Sequence, residues 1–133
     1  MGAYVVSQLI KAMIKKSIKI EGARVLVMGL TFKENCPDLR NTRVVDIVRE
    51  LKQYNIAVDV YDPWVSATEA EHEYGITPIQ QPSVGSYDAV ILAVAHEEFK
   101  DLGAERVRGF GKADSVIYDL KYLLPADAAD LRL

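Results

Sequence analysis

Cysteine and histidine are almost absent from this sequence: Cys36, His72 and His96 are the only ones in 133 residues. A lone cysteine forms no internal disulfide, and with two widely separated histidines it makes no metal-ligand set. Neither a nucleophilic triad nor a P-loop is present. No apolar run approaches the roughly 18 residues that span a bilayer; the longest lies around residues 89–95. The N-terminus lacks the basic, apolar and small-residue succession of a secretory signal. A formal net charge of -3 supplies no field that would draw in a polyanion. These absences argue against a disulfide-stapled scaffold, a membrane span and a nucleic-acid partner, and they predict a cytoplasmic protein.

Half of the sequence is hydrophobic, enough at this length for one core of ordinary proportions. Residues 4–19 place Val5, Val6, Leu9, Ile10, Met13, Ile14 and Ile18 at helical spacing among lysines. That helix either packs on this domain's own core or ends a longer helix from upstream. Residues 23–28 form a nearly continuous apolar run rich in β-branched side chains, the pattern of a strand covered on both faces. A helix is predicted over 43–54, capped by Asn41 or Thr42, and a strand over 57–61. A short polar helix is expected at 66–74 and a short strand at 76–79. A buried strand at 88–95, a helix over 97–109 and a last strand at 115–120 complete the chain. This alternation predicts an α/β fold, a three-layer doubly wound parallel sheet of about five strands, Rossmann-like and preceded by an N-terminal helix.

Ligands of such sheets bind outside the carboxyl ends of the strands. The first strand delivers Gly29, Thr31, Phe32 and Lys33 to that edge, the second Asp62, the fourth His96, and the last Asp119 and Lys121. Lys33 and Lys121 form a candidate cation pair for an anion such as pyrophosphate. The connection over 29–42 is far longer than the two to six residues usual in such units. Within it Asp38 and Arg40 are spaced to pair and shape the loop. Phe32 reads as pocket lining or as core, and Lys33 as a ligand contact or a solvated cation. A dinucleotide fingerprint needs three glycines where this chain has Gly29, Thr31 and Glu34, so Asp62 is read as opening the Asp62-Pro63-Trp64 turn rather than as a ribose ligand. Cys36 reads as an inert loop thiol, His72 as a surface residue and His96 as the start of the next helix. No catalytic or metal-binding residue is expected.

The run Val25-Leu26-Val27-Met28-Gly29-Leu30-Thr31-Phe32-Lys33-Glu34-Asn35-Cys36-Pro37-Asp38-Leu39-Arg40-Asn41-Thr42 closely resembles the start of the C-terminal domain in the UDP-glucose/GDP-mannose dehydrogenase family. Phe32, Lys33, Asp38 and Arg40 match that family's pattern. Val58-Asp59-Val60-Tyr61-Asp62-Pro63-Trp64 and Tyr118-Asp119-Leu120-Lys121 fall where the family has its Asp-Pro strand and its final strand. The loop is most similar to the branch that oxidises UDP-N-acetylhexosamines for capsule or O-antigen synthesis. The resemblance implies residues 1–20 as the end of a central linking helix and 21–133 as the UDP-sugar-binding domain.

It further implies a two-step oxidation of a UDP-sugar's 6-hydroxyl to a carboxylate, through a thioester on a cysteine and with two NAD. NAD and that cysteine belong to regions outside this chain, so the fragment is expected to be inactive alone and to hold no cofactor. By the same resemblance Lys33 contacts the phosphate or sugar, Phe32 lines the pocket, and Lys121 stands where several relatives carry arginine. A lysine there keeps the charge but loses the planar fork. The implied partners are the UDP-sugar, the rest of the dehydrogenase and a second copy in a homodimer. Two rival readings are a free-standing interaction module that lost its ligand, and a response-regulator receiver. The receiver needs clustered acids after the first strand, where Leu30 and Thr31 stand.

Overall fold

A computed structural model describes residues 2–133, so Met1 lies outside it. Four helices and five strands follow in the order α1 (Gly2–Lys15), β1 (Arg24–Met28), α2 (Val44–Gln53), β2 (Ala57–Tyr61), α3 (Ala67–Tyr74), β3 (Tyr87–Leu92), α4 (Glu97–Phe110), β4 (Gly111–Asp119) and β5 (Leu131–Arg132), with a 3-10 turn at Ala126–Ala128 before the last. All strands pair in parallel in the order β2-β1-β3-β4-β5. The expected α/β doubly wound sheet is the one observed.

The apolar runs have two faces to fill. Val25 and Val27 of β1, Ala89 and Ile91 of β3, and Val116 and Tyr118 of β4 join the core beneath α1 and α2. Their neighbours Leu26, Met28, Val90, Leu92 and Ile117 face the opposite core with Phe99 and Val107 of α4. Period-two alternation with both faces covered is what makes each strand read as unbroken hydrophobic sequence.

Helix α1 lies on this domain's own core. Val5, Val6, Leu9, Ile10 and Met13 are buried, each side chain contributing about 1.5–3 kcal/mol relative to exposure. The helix stops earlier than its apolar period suggested. Ser17 takes a left-handed conformation (φ 60°) and the Ile18 N–H bonds the Met13 carbonyl at 3.0 Å, a Schellman-type end.

Two further expectations are corrected. No strand forms over 76–79: Ile79 makes a single bridge to Tyr61, because Pro78 brings no N–H to a ladder. The fifth strand is instead β5, at a position with no strand signal. Helix α2 has no side-chain cap at Arg43. Thr42, one of the two caps expected, fills that role: its hydroxyl accepts from Val44 N–H (3.3 Å) and donates to the Leu30 carbonyl (2.6 Å), so it also ties the helix start to the loop. Helix α4 is two helical pieces, broken where Gly103 takes φ 79° and ψ 165°.

The chain leaves β1 toward β2 on one side and returns to β3 on the other, so the carboxyl ends of β1 and β3 form the topological switch point. There the backbone is tight. Gly29 has φ 105°, and a Cβ on it would sit 2.6 Å from the Val94 Cβ just beyond β3. Gly29→Ala is therefore expected to lower stability by about 2–4 kcal/mol, read from urea unfolding midpoints. A change within about 0.5 kcal/mol would show that the crossing relaxes freely.

Candidate functional site

The loop over 29–42 leaves β1 and is anchored through its first half to a buried carboxylate. Asp62, at the end of β2 and only 5% exposed, accepts from Leu30 N–H (2.7 Å), Thr31 N–H (3.1 Å) and His96 Nε2 (2.9 Å) on one oxygen. Its other oxygen accepts from Trp64 N–H at 2.8 Å, closing the Asp-Pro-Trp turn. Burial pushes the Asp62 carboxyl up, but the bonds from His96, Leu30, Trp64 and Thr31 together hold it below the ordinary carboxylate value.

His96, fully buried at the N-cap position of α4, caps nothing with its side chain. Its Nδ1 accepts from Asn35 N–H at 3.0 Å, and Nε2 also lies 3.1 Å from the Thr31 hydroxyl. Trp64 stacks on the ring at 6.0 Å and Phe99 meets its edge at 5.3 Å. Asn35 reaches across in turn, its Oδ1 accepting from Glu97 N–H at 2.9 Å. The residue read as a helix starter is thus the hub between the loop, β2 and α4.

Beyond this base the loop closes on itself. Phe32 N–H donates to the Asp38 carbonyl at 2.7 Å, and Arg40 grips both Asp38 oxygens at 3.1 Å from Nε and Nη2. The Arg40 guanidinium and backbone N–H hold the Asp38 carboxyl below its usual value, with a smaller pull from the Lys33 charge. Tyr74 of α3 donates to the Leu39 carbonyl at 2.5 Å. With the path so determined, Phe32 stays 54% exposed and Lys33 is exposed beside it. Among the described residues Lys33 has no ion-pair partner.

Lys121 follows β4, where the buried Asp119 shapes the turn by accepting from Lys121, Leu123 and Leu124 N–H at 2.9–3.1 Å. Lys121 lines a cleft of about 130 Å³ with Arg43, Val44, Ile47, Ala93 and Leu120. Lys33 does not line that cleft, so the two lysines share an edge of the sheet without sharing this pocket. Arg43, at the head of α2, is the cation beside Lys121, and nothing in the spacing pointed to it. Cys36 is a half-buried free thiol and His72 an exposed side chain against Glu73.

This edge does not suit a dinucleotide. The space a second glycine would open is taken by buried Thr31, Val94 closes over Gly29, and the Asp62 carboxylate is engaged by backbone N–H groups and His96 rather than turned to a ribose. Among the described residues no three His, Cys, Asp or Glu side chains group to hold a metal, and no helix is long and apolar enough to cross a membrane.

Comparison with known proteins extends what the geometry shows. A sequence profile described as the UDP-glucose/GDP-mannose dehydrogenase family, UDP binding domain, matches residues 26–126. Over all 133 residues the chain is 72% identical to a UDP-N-acetyl-D-glucosamine 6-dehydrogenase of Pseudomonas aeruginosa, covering 32% of that protein. It is 58% identical to the Salmonella typhi enzyme of the same name and covers 31% of it. Among solved structures it superposes with TM-score 0.75 on a UDP-D-ManNAc dehydrogenase from Pyrococcus horikoshii, at 25% identity over 94% of this chain and 28% of that one. A UDP-glucose dehydrogenase from Pyrobaculum islandicum gives 0.74 at 26% identity, over 98% and 28% respectively.

The depressed Asp62 carboxyl makes a pH prediction. The stability contributed by its anchored loop is fully present above the unfolded carboxyl value, about 3.9, and is lost as pH falls through the lower folded value. Urea unfolding across the acid range should show wild-type stability declining there. Asp62→Asn should be about 2–3 kcal/mol less stable at neutral pH, since an amide leaves the facing donors unpaired, and its acid decline should be shallower. Asp38 and Asp130, also held below their usual values, sustain the remainder. Parallel acid slopes would remove Asp62 from this role.

Proposed function

Because the chain belongs to the UDP-glucose/GDP-mannose dehydrogenase family, as its UDP binding domain, we propose that it holds the substrate in an NAD-dependent UDP-N-acetylhexosamine 6-dehydrogenase of polysaccharide synthesis. The observation that carries this reading is the 72% identity along the whole chain to the Pseudomonas aeruginosa enzyme. The anchored loop supports it, since it leaves Phe32 and Lys33 exposed at the switch point, where parallel sheets take their ligands.

In this reading the Lys33 ammonium meets the UDP phosphates as a point charge and Phe32 covers the sugar or base beside it. Lys121 supplies a second cation from the end of β4. Gly29 and the Asp38–Arg40 pair maintain the loop that carries the contact. NAD, when bound by the rest of the enzyme, accepts the hydride in each oxidation, and no residue of this chain is assigned to that chemistry. Residues 1–20 are the segment through which the rest of the dehydrogenase connects and 21–133 the ligand-holding part. The complete enzyme works in the cytoplasm as a homodimer.

Titration calorimetry with UDP tests the reading. The 133-residue chain should bind UDP weakly, because the pocket is shared with the remainder of the enzyme, and should reduce no NAD with UDP-N-acetylglucosamine. In the complete dehydrogenase Lys33→Ala should cost about 1.5–3 kcal/mol of UDP affinity, the range of a charge-assisted contact. Equal affinity in the variant would take Lys33 out of the site.

A further inference from the structure

One imidazole holds the chain on both sides of Lys33. Asn35, two residues after it, donates its N–H to His96 Nδ1 at 3.0 Å. A backbone amide only donates, so Nδ1 is bare and the ring proton sits on Nε2. From there it points between Asp62 Oδ2 at 2.9 Å and Thr31 Oγ1 at 3.1 Å. The Thr31 hydroxyl, two residues before Lys33, spends its own hydrogen on the Lys33 carbonyl at 3.0 Å. The donors run in one direction, from Asn35 through the ring and Thr31 to the backbone of Lys33 itself.

We infer that His96, as the neutral Nε2-protonated tautomer, is a positioning residue for ligand recognition: it clamps residues 31–35 so that Phe32 and Lys33 are presented at the crevice between β1 and β3. The inference rests on the proposal that Lys33 meets the UDP phosphates. Filling space does not account for the residue. An aromatic ring would pack equally well between Trp64 and Phe99, but it would neither accept from Asn35 nor donate to the Asp62 carboxylate. The surrounding bonds show the same end use. Asp62 fixes Leu30 and Thr31, and Glu97 N–H fixes the Asn35 side chain, so the exposed residues 32–35 are held at both ends.

Two substitutions separate the two nitrogens. His96→Asn places a carbonyl oxygen near the Nδ1 position and keeps the acceptor for Asn35. His96→Gln carries an amide donor to the Nε2 position but leaves the Asn35 N–H without a partner. UDP titration of the 133-residue chain is combined with amide exchange of Asn35 by NMR. In His96→Gln Asn35 exchange should quicken about fivefold or more, while in His96→Asn, which keeps that acceptor, it should stay within about twofold of wild type; UDP affinity should fall about two- to fivefold in both, because each variant frees the chain on one side of Lys33. Thr31→Val, which keeps the shape and removes the donor to the Lys33 carbonyl, should weaken UDP about two- to fivefold. Asn35 exchange unmoved by Gln, or quickened equally by Asn, would overturn the inference, as would full UDP affinity in either His96 variant or in Thr31→Val. If the wild-type chain binds no UDP, the assignment of Lys33 fails, and Asn35 exchange still decides whether His96 holds the loop.

Discussion

The buried Asp62 carboxylate and the His96 ring against it are what the remaining architecture at this edge is arranged around. A charge at such a position costs several kcal/mol unless donors surround it, and here three backbone N–H groups and one imidazole do so. Two of those N–H groups belong to the first residues after β1. The loop therefore takes its direction at Leu30 and Thr31, and Gly29 must make the crossing past Val94 in a conformation that side chains resist.

A rigid base with an exposed tip follows from that arrangement. Leu39 is buried, Thr42 is bonded to Leu30 and Arg40 is locked to Asp38, so the return limb is tied down as well. The apex carries a half-exposed aromatic side chain and an exposed ammonium group. Ordering such a loop in advance reduces the entropy that ligand binding would otherwise have to supply. Asp119 repeats the device at the end of β4, where one carboxylate gathers three N–H groups and sets the turn that bears Lys121. Between them the two aspartates set the turns that carry cations on two parts of one sheet edge.

Much of the framework was legible from period and composition, because strands covered on both faces must be apolar throughout. The strand at Ala57–Tyr61 and the Ser66-capped helix α3 were found where their residues pointed. The errors have local causes. The 76–79 segment has strand-like side chains, but Pro78 in its middle denies it a ladder. Strand β5 has no propensity signal; it exists because Asp130 N–H bonds the Ile117 carbonyl and the Asp130 carboxylate takes the Ile117 N–H, drawing the chain alongside β4. Asp62 was recognised for its turn but not for the loop it holds, since its partners Leu30 and Thr31 lie some thirty positions away.

By itself the sequence determined the alternation of elements, the two-faced core, the unusual length of the connection after β1 and, through the Phe32-Lys33 and Asp38–Arg40 pattern, the family. Those properties depend on neighbours a few residues apart, which a linear reading can pair. Only the tertiary structure decided that His96 bridges Thr31 and Asn35, that Arg43 rather than Lys33 stands beside Lys121, and which nitrogen of the ring carries its proton. Each of these depends on the direction of hydrogen bonds between segments distant along the chain, and that direction exists only once the sheet has brought the ends of β1, β2 and β3 together.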